Sequence, residues 1–447
     1  MIEQIRDGKR QAQRLAAPAP MQTLLDSALV ARVQGNLDSA RLALDQLASK
    51  PQPPFSPQDA GLTIAASPTL VESLVLPLLQ ARFADATVTA EPDARRWFIA
   101  TTDPAVAPGA VVSIADAEPY GPLLDGSADL VLTDQPPDAT VRARFAAAFG
   151  GQELDARAFS EVVALDAVVL LAHPDASAAP VDLGNLARGP WLVRSPDADS
   201  IRRLTIDDVS VKAVQDPFQA LLAQSGARAL AFYHQSGPSP RGKYLPFKAA
   251  AKAQAVTPSR FSIATEDYRW TYRIRAAHSP QARPAARQFM EYLTSDAGQE
   301  QIAGRGFVDL RLPPDPAGPP APPGILAILA TALGRDSISS ASRYPTNLHF
   351  GVNQSELDIK AKADIGRLER DFPSGKVVIL GFTDNTGGVP HNVKLSKERA
   401  QSIARMLQPF KIDAAATGLG QEFPVDTNDT EQGRARNRRA EVWVVKP

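Results

Sequence analysis

The sequence predicts an α/β protein with two folded segments of different size. Three observations carry this prediction. From Gly61 onward, short apolar strands alternate with helices, which is typical of an α/β sheet with crossover helices. Residues 313–324 hold seven prolines in twelve positions and interrupt that pattern. A second strand-and-helix pattern then runs from Thr346 to the end, and 447 residues allow about three domains.

Residues 1–50 are expected to form a helical hairpin. Apolar residues recur at helical spacing in LLDSALVARVQGNLDSARLALDQLASKP, and Gly35 with Asn36 supplies a turn. The shape is similar to a single tetratricopeptide-like helix pair, which needs a neighbour to bury both faces. Packing on the adjacent domain and docking of a protein partner are both open. The charged opening MIEQIRDGKRQAQRL shows no export signal, so the chain either stays in the cytoplasm or follows a removed signal.

The larger α/β domain is expected over residues 59–312. The segment LTIAA predicts a strand and TLVESLVLPLLQARF a helix, and VVSIA, LVLT and VVALDAVVLLA predict further strands. The Pro-rich residues 313–324 end this domain and are expected to form an extended linker.

A smaller domain over residues 344–447 is predicted to be an α+β domain of β-α-β-α-β order. Its strand candidates are TNLHF, KVVILGF and RRAEVWVV. Its helix candidates are SELDIKAKADIGRLERDF, with Ser355 as the cap, and PHNVKLSKERAQSIARMLQPF. The apolar stretch ILAILATAL between the Pro-rich segment and this domain predicts a further short helix.

Composition excludes several classes of protein. Lys and Arg number 48 against 49 Asp and Glu, so the net charge of -1 gives no field that would gather nucleic acid. The absence of Cys excludes disulfides, Cys-ligated zinc, iron–sulfur clusters and thiol nucleophiles. The five His never fall at a metal-binding spacing, and the sequence holds no HExxH, GxSxG or P-loop motif. We therefore predict no catalytic residue, no metal site, no cofactor and no enzymatic activity.

Asp384 and Arg399 are the strongest candidates for a binding site. Asp384 follows the KVVILGF strand in a Gly-rich loop, and Arg399 lies fifteen residues later in the next helix. Loops at the carboxyl ends of strands are where α/β proteins place ligands. The pair suits a zwitterion, because the carboxylate binds an ammonium and the planar guanidinium binds a carboxylate. The alternative is that Asp384 only fixes a turn and that Arg399 pairs with Glu398 or Glu431.

The residues around this pair resemble the signature of the OmpA-like peptidoglycan-binding domain. The matching positions are Thr383-Asp384-Asn385, Gly387, Asn392, Leu395-Ser396, Arg399-Ala400 and the run from Gly433 to Arg439. In that family, the Asp and the Arg hold the free amino acid end of diaminopimelate in the cell-wall stem peptide. The resemblance implies this role for Asp384 and Arg399, with Thr383, Asn385 and Asn392 in the same site.

Two further features concern this site. Phe382 departs from the family, which often has His before the Thr. The basic run of Arg434, Arg436, Arg438 and Arg439 is predicted to form internal salt bridges that frame the site, with Asp426, Asp429, Glu431 and Glu441 as partners.

The central segment resembles the phosphate-binding, PstS-like periplasmic proteins. The resemblance rests on LTIAASPTLVESLVLPLLQARF, GSADLVLTDQPP, EVVALDAVVLLAHPDASAAPVDLGNLARG and RQFMEYLTSDAGQEQIAGRGFVDL. It implies a two-lobed, type II periplasmic-binding-protein fold that holds phosphate or another small anion between its lobes. The positions that match the anion-binding residues are Ser67, Thr69, Thr133, Asp134, Arg194 and Ser200.

The expected phosphate-binding loops are altered in two places. Ala117 to Tyr120 replaces a Gly-Ser pair, and RSPDADSIRR replaces a Ser-Gly-Thr loop. The new carboxylates, Glu118 with Asp197 or Asp199, would repel a divalent phosphate.

Together these features predict a periplasmic, wall-associated envelope protein that anchors to peptidoglycan and presents a ligand-binding or partner-binding module. A phosphate-capture protein that feeds an ABC transporter and a scaffold with a degenerate ligand site are the alternatives. The sequence leaves open the ligand of the central segment, the partner of residues 1–50, the export route and the oligomeric state.

Overall fold

The computed structural model describes residues 55–115, 117–205, 209–237, 242–311, 321–333, 341–350, 357–371 and 376–445. The hairpin predicted for residues 1–50, most of the Pro-rich segment and Ser355 lie outside these residues. The chain forms two compact units. Unit 1 takes Met1–Thr133, Pro137–Glu153 and Ala277–Tyr292, and unit 2 takes Asp134–Pro136, Leu154–Ala276 and Leu293–Pro447.

Unit 1 has the alternating strands and helices that its sequence predicted. Within it the strands follow the order β2-β3-β4-β1-β5, with β1 parallel to both β4 and β5. Its strands are β1 (Leu62–Ala66), β2 (Thr87–Glu91), β3 (Arg96–Ala100), β4 (Gly109–Ile114) and β5 (Leu130–Thr133). Its helices are α1 (Pro68–Leu70), α2 (Leu76–Arg82), α3 (Gly121–Leu124) and α4 (Ala139–Ala148), with π-helical Val71–Val75 between α1 and α2.

The first part of unit 2 is a second α/β sheet. Its main strands follow the order β13-β6-β10-β8-β9, while β11 pairs with β6 and β12 with β7. Its strands are β6 (Ser160–Ala172), β7 (Val181–Asp182), β8 (Trp191–Arg194), β9 (Val211–Val214), β10 (Arg228–Phe232), β11 (Lys243–Tyr244), β12 (Phe247–Lys248) and β13 (Thr271–His278), the last two residues of which belong to unit 1.

Short helices connect these strands. They are α5 (Leu183–Leu186), α6 (Ala198–Thr205), α7 (Pro217–Ala223), α8 (Tyr233–Ser236), α9 (Arg260–Ala264), α10 (Pro284–Thr294) and α11 (Asp296–Gly304). Most of α10 lies in unit 1. These elements confirm the predicted fold class. Among the described residues, no helix combines the length and the apolar character that crossing a bilayer requires.

The rest of unit 2 is the carboxyl-terminal α+β domain. It holds four strands rather than the three predicted, in the order β14-β17-β15-β16. Its elements are α12 (Pro323–Leu333), β14 (Ala341–His349), α13 (Ile359–Asp371), β15 (Lys376–Gly381), α14 (Val389–Leu407), β16 (Asp413–Gly418), α15 (Glu431–Asn437) and β17 (Arg439–Val445).

The unpredicted strand β16 runs parallel to β15. Its sequence, DAAATG, holds three alanines and only one β-branched residue, Thr417, so it carries little of the signal that usually marks a strand. Pro323 and Gly324, the last residues of the predicted linker, begin α12 instead. Helix α12 contributes its Leu329 to the apolar layer that also contains Trp443, so it packs on the carboxyl-terminal sheet.

Alternating side chains of β15 build two cores on opposite faces of this sheet. Val377 and Ile379 pack with α13 and α14, while Val378 and Leu380 pack with α12. Residues two apart on a strand face the same side, so the apolar run KVVILGF fits a strand that is covered on both faces. Because β15 is packed on both faces, its position in the sheet is fixed. The loop that leads from its end to the start of α14 is therefore held in place as well.

The domain also packs on residues 265–273 of the first part of unit 2. These residues follow α9 and begin β13. The Arg343 guanidinium donates to the Asp267 carboxylate at 2.7 Å, and both side chains are buried. The other contacts are Arg273 with Asp358 at 2.8 Å, Asn347 with the Thr265 carbonyl at 2.6 Å, and Arg269 with Asp426. Nothing in the sequence pattern predicted this buried polar contact.

Candidate functional site

The candidate site lies where β15 ends and α14 begins. Gly381 ends β15, and a Cβ at that position would come within 2.1 Å of the Ser396 carbonyl oxygen of α14. Only glycine permits this close approach, which brings α14 directly against the strand. Gly387 has a φ of +91°, in the left-handed region, and lies in the loop between the strand and the helix. Asp384 lies in this loop and Arg399 lies on α14, as the sequence predicted.

Asp384 is a buried carboxylate with defined donors. Its Oδ2 accepts a hydrogen bond from Arg438 Nη1 at 2.8 Å, and its Oδ1 accepts one from the Thr386 amide at 2.9 Å. Burial alone would raise the pKa of Asp384, but these hydrogen bonds outweigh burial and hold the pKa below its usual range. Asp384 is therefore ionised at neutral pH.

Arg399 is 1% exposed and lies over the ring of Phe350, 5.0 Å from the ring centroid. Burial lowers the pKa of Arg399 to about 10, and the neighbouring charge of Arg438 adds to the lowering. The Asp384 carboxylate opposes it, so these two charges lie close enough to interact. Arg399 remains a cation at neutral pH.

The three other predicted residues surround this pair. Thr383 is buried, and its Oγ1 has no hydrogen-bond partner among the described residues. Asn392 is buried, and its Nδ2 donates to the Asp384 carbonyl at 3.3 Å and to Gln421 Oε1 at 3.1 Å. Asn385 is exposed, and its amide donates to an Asn428 side chain at 3.3 Å. The loop is thus tied to α14 on one side and to residue 428 on the other.

The arginine run forms internal salt bridges, as predicted. Arg438 bridges Asp384 and Glu431 at 2.8 and 2.7 Å. Arg434 pairs with Glu431 at 2.9 Å. The remaining pairs are Arg436 with Asp426 at 3.2 Å and Arg439 with Glu441 at 2.7 Å. Asp429, also named as a partner, instead accepts a hydrogen bond from Thr427.

Two residues near the site have roles that sequence patterns did not assign. Arg438 was predicted to frame the site but not to bind Asp384, which lies 54 residues earlier. Asn437 binds the loop after β16, since its Oδ1 accepts from the amides of Val425 and Asp426. Phe382 is fully buried beneath the Arg439 guanidinium, 3.9 Å from it, so it packs the core and offers no polar group to a ligand.

The predicted anion-binding residues of unit 1 lie at the ends of β1 and β5. Ser67 Oγ donates to Thr133 Oγ1 at 3.1 Å, so these two hydroxyls do lie together. Thr69 is in the three-residue helix α1, which begins at Pro68. Pro68 contributes no amide donor at the start of this helix, because proline has no N–H.

Two of the three predicted anion-binding residues of unit 2, Arg194 and Asp134, are paired with neighbouring charges. Arg194 donates both Nε and Nη2 to Asp197, at 2.7 and 2.8 Å. Asp134 accepts from Arg203 at 2.9 Å. Ser200 lies in α6. An internal carboxylate therefore occupies the Nε–Nη2 edge of Arg194, the residue that the resemblance assigns to anion binding.

The described residues hold no cluster of three or more His, Asp and Glu side chains that fits a metal ion. His234 Nδ1 lies 2.7 Å from Asp166 Oδ2. Its ring stacks on Phe307 at 4.3 Å, and Tyr272 also donates to Asp166. This arrangement satisfies a buried carboxylate within the core of unit 2.

The carboxyl-terminal domain thus places an ionised carboxylate and a guanidinium side by side where β15 ends and α14 begins, on a four-stranded sheet. Residues 349–438 match the OmpA family, which confirms the resemblance of the carboxyl-terminal residues. The chain is 33% identical over 106 residues to the probable lipoprotein YiaD of Escherichia coli, covering 22% of this chain and 48% of the relative. It is 41% identical over 130 residues to the peptidoglycan-binding protein ArfA of Mycobacterium tuberculosis, covering 28% of this chain and 39% of the relative.

The chain thus spans less than half the length of these two relatives. Among solved structures, a possible phosphate-binding protein from Planctomyces limnophilus matches 56% of this chain and 92% of its own, with 14% identity and a TM-score of 0.39.

Proposed function

We propose that this protein is a non-enzymatic component of the cell envelope that anchors to peptidoglycan through its OmpA-family domain. The observation that carries the proposal is the pairing of an ionised Asp384 with a cationic Arg399 in that domain. The ligand is the free amino acid end of diaminopimelate in the stem peptide, which carries one ammonium and one carboxylate. The name of the relative from Mycobacterium tuberculosis supports the same activity.

Each residue of the site has a distinct part in this binding. Asp384 binds the ammonium, and Arg399 binds the carboxylate through its planar guanidinium. Arg438 and the Thr386 amide hold Asp384 ionised and in position. The hydroxyl of Thr383 offers a further hydrogen bond at the site, because its Oγ1 is not used within the described residues. Asn392 and Asn385 keep the loop in its bound shape.

Co-sedimentation tests this proposal. The full chain is expected to pellet with purified sacculi of the diaminopimelate type and to stay in the supernatant without them. A chain that remains in the supernatant with sacculi would overturn the proposal.

The central segment is proposed to be a module that presents a ligand site or a partner surface beside the wall, in the periplasm. Anchoring would raise the effective concentration of this module for its next partner. The pairing of Arg194 with Asp197 favours a ligand other than phosphate, because phosphate would have to displace a carboxylate that already makes two hydrogen bonds. Phosphate capture for an ABC transporter remains the alternative to be tested.

Calorimetric titration of phosphate into the full chain, unfolded and refolded to remove any carried ligand, separates these roles. We expect no binding tighter than about 1 mM. The Asp197→Asn variant lacks the carboxylate charge that competes for Arg194. We expect it to bind phosphate more tightly than the unaltered chain does in the same titration. Micromolar binding by the unaltered chain would instead make the protein a phosphate-capture protein.

A further inference from the structure

Unit 2 contains a cavity of about 460 Å³ that lies outside the site described above. One wall comes from the loop before α9 and from Phe261, and the other comes from the carboxyl-terminal domain. Apolar side chains of Ile325, Phe423 and Trp443 line the second wall. The volume falls within the range of small-molecule sites, which lie preferentially between domains. Neither Asp384 nor Arg399 lines this cavity, which we name the Arg343–Arg439 cavity.

Two buried ion pairs line the same cavity. Asp267 accepts from Arg343 at 2.7 Å and from Asn347 at 2.9 Å. Glu441 accepts from Arg439 at 2.7 Å and from Trp443 Nε1 at 3.2 Å. Each carboxylate is therefore already bound by two different side chains.

The unused polar groups of these pairs are donors. Arg343 Nε and Arg439 Nη1 are buried and have no hydrogen-bond partner among the described residues. The two arginines are 8% and 2% exposed. A buried donor without a partner is costly and rare, so it calls for an acceptor that a ligand can supply. Lys252 adds a further positive charge at the exposed rim.

We propose that the Arg343–Arg439 cavity binds a small molecule that joins an apolar, aromatic body to one anionic group. The apolar body packs against Phe261, Ile325 and Trp443. The anionic group accepts hydrogen bonds from Arg343 and Arg439. The carboxylates that pair with these arginines, Asp267 and Glu441, already have their own donors. A cation is disfavoured at this site, since Asp267 and Glu441 have no unbound charge to offer it.

Fluorescence titration of the full chain with anilinonaphthalene sulfonate tests this proposal. This probe has the required aromatic body and a single sulfonate. Ala255→Trp places a bulky side chain at an exposed position that lines the cavity, so it blocks the cavity without disturbing the core. The matched control is Ala251→Trp, which is exposed on the same loop and does not line the cavity.

We expect saturable binding that Ala255→Trp weakens at least about tenfold and that Ala251→Trp leaves unchanged. Phenylnaphthylamine, which keeps the aromatic rings and lacks the sulfonate, is expected to bind at least about tenfold more weakly. Binding that is absent, or that Ala255→Trp does not weaken, would overturn the site. Equal binding of the neutral probe would overturn the role of the arginine donors.

Discussion

Replacing Arg399 by alanine in the full chain is expected to abolish co-sedimentation with diaminopimelate-type sacculi. Loss of one partner in a desolvated charge pair costs about 2 to 5 kcal/mol, which is roughly a 30- to 5,000-fold loss of affinity. Arg399→Lys should recover part of the binding, because it keeps the charge but loses the planar pair of donors. The control is Glu398→Ala, which removes the exposed neighbour of Arg399 on the same helix.

The complementary change is Asp384→Asn, chosen over alanine because it leaves no gap in the loop, while Arg438 keeps Glu431 as its charged partner at 2.7 Å. Asparagine keeps the shape of the side chain and an oxygen for the Thr386 amide while removing the charge that binds the ammonium. Co-sedimentation should be lost while the circular dichroism spectrum stays unchanged. Pelleting of either Asp384→Asn or Arg399→Ala to the same extent as the unaltered chain would contradict the assignment of the site.

The second large effect is expected on stability, from Asp267→Ala. Breaking a buried ion pair by removing one partner costs about 3 to 5 kcal/mol, because the other charge stays buried without compensation. Here that charge is Arg343, which would keep a hydrogen bond to Asn347 Oδ1 at 2.6 Å and a 3.4 Å contact with Glu441. Thermal unfolding followed by circular dichroism should show a clear fall in the midpoint.

The matched control for this change is Asp199→Ala, an exposed aspartate whose pair with Arg202 is worth little. Equal midpoints for the two variants would show that the contact of the carboxyl-terminal domain with residues 265–273 does not stabilise unit 2.

Burial would raise the pKa of Asp267, but Arg343 and then Arg439 hold it below its usual range. The stabilisation from the Asp267–Arg343 pair is therefore complete at neutral pH. It is lost as the pH falls through the lowered pKa of Asp267.

The sequence predicted most of the fold and the central pair of the site for identifiable reasons. Apolar runs such as KVVILGF mark strands that are covered on both faces, and β15 has that environment. The Asp384–Arg399 pair was found because both residues belong to one strand–loop–helix unit, where spacing carries geometric information. Strand β16 was missed because its alanines carry no strand signal.

The rest of the site depends on contacts between distant parts of the chain. Arg438 reaches Asp384 only because β17 pairs with β15, and Asp267 meets Arg343 only because the carboxyl-terminal domain packs on the loop after α9. A basic run such as RARNRR shows that charges must be balanced but not which carboxylate balances each of them. Contacts of this kind follow from the assembled fold and not from spacing.

These contacts also connect the loop that holds Asp384 to the first part of unit 2. Arg269, in the first part of unit 2, binds Asp426 of the carboxyl-terminal domain. The side-chain Nδ2 of Asn437 donates to the backbone carbonyl of Asp426 at 2.9 Å and to Asn428 Oδ1 at 3.0 Å. The same Asn428 Oδ1 accepts from the backbone amide of Asn385. A continuous set of hydrogen bonds therefore joins residue 269 to the loop that holds Asp384. The loop that holds Asp384 is therefore supported by both parts of unit 2.

The most direct test of the proposed anchoring compares two soluble stem tripeptides by calorimetry with the full chain. One carries diaminopimelate at its third position, and the other carries lysine, which keeps the side-chain ammonium but lacks the second carboxylate. Because Arg399 is assigned to that carboxylate, the diaminopimelate peptide should bind at least about thirtyfold more tightly. Equal affinity for the two peptides, or no binding of either, would contradict the assignment of Asp384 and Arg399 as the wall-binding pair.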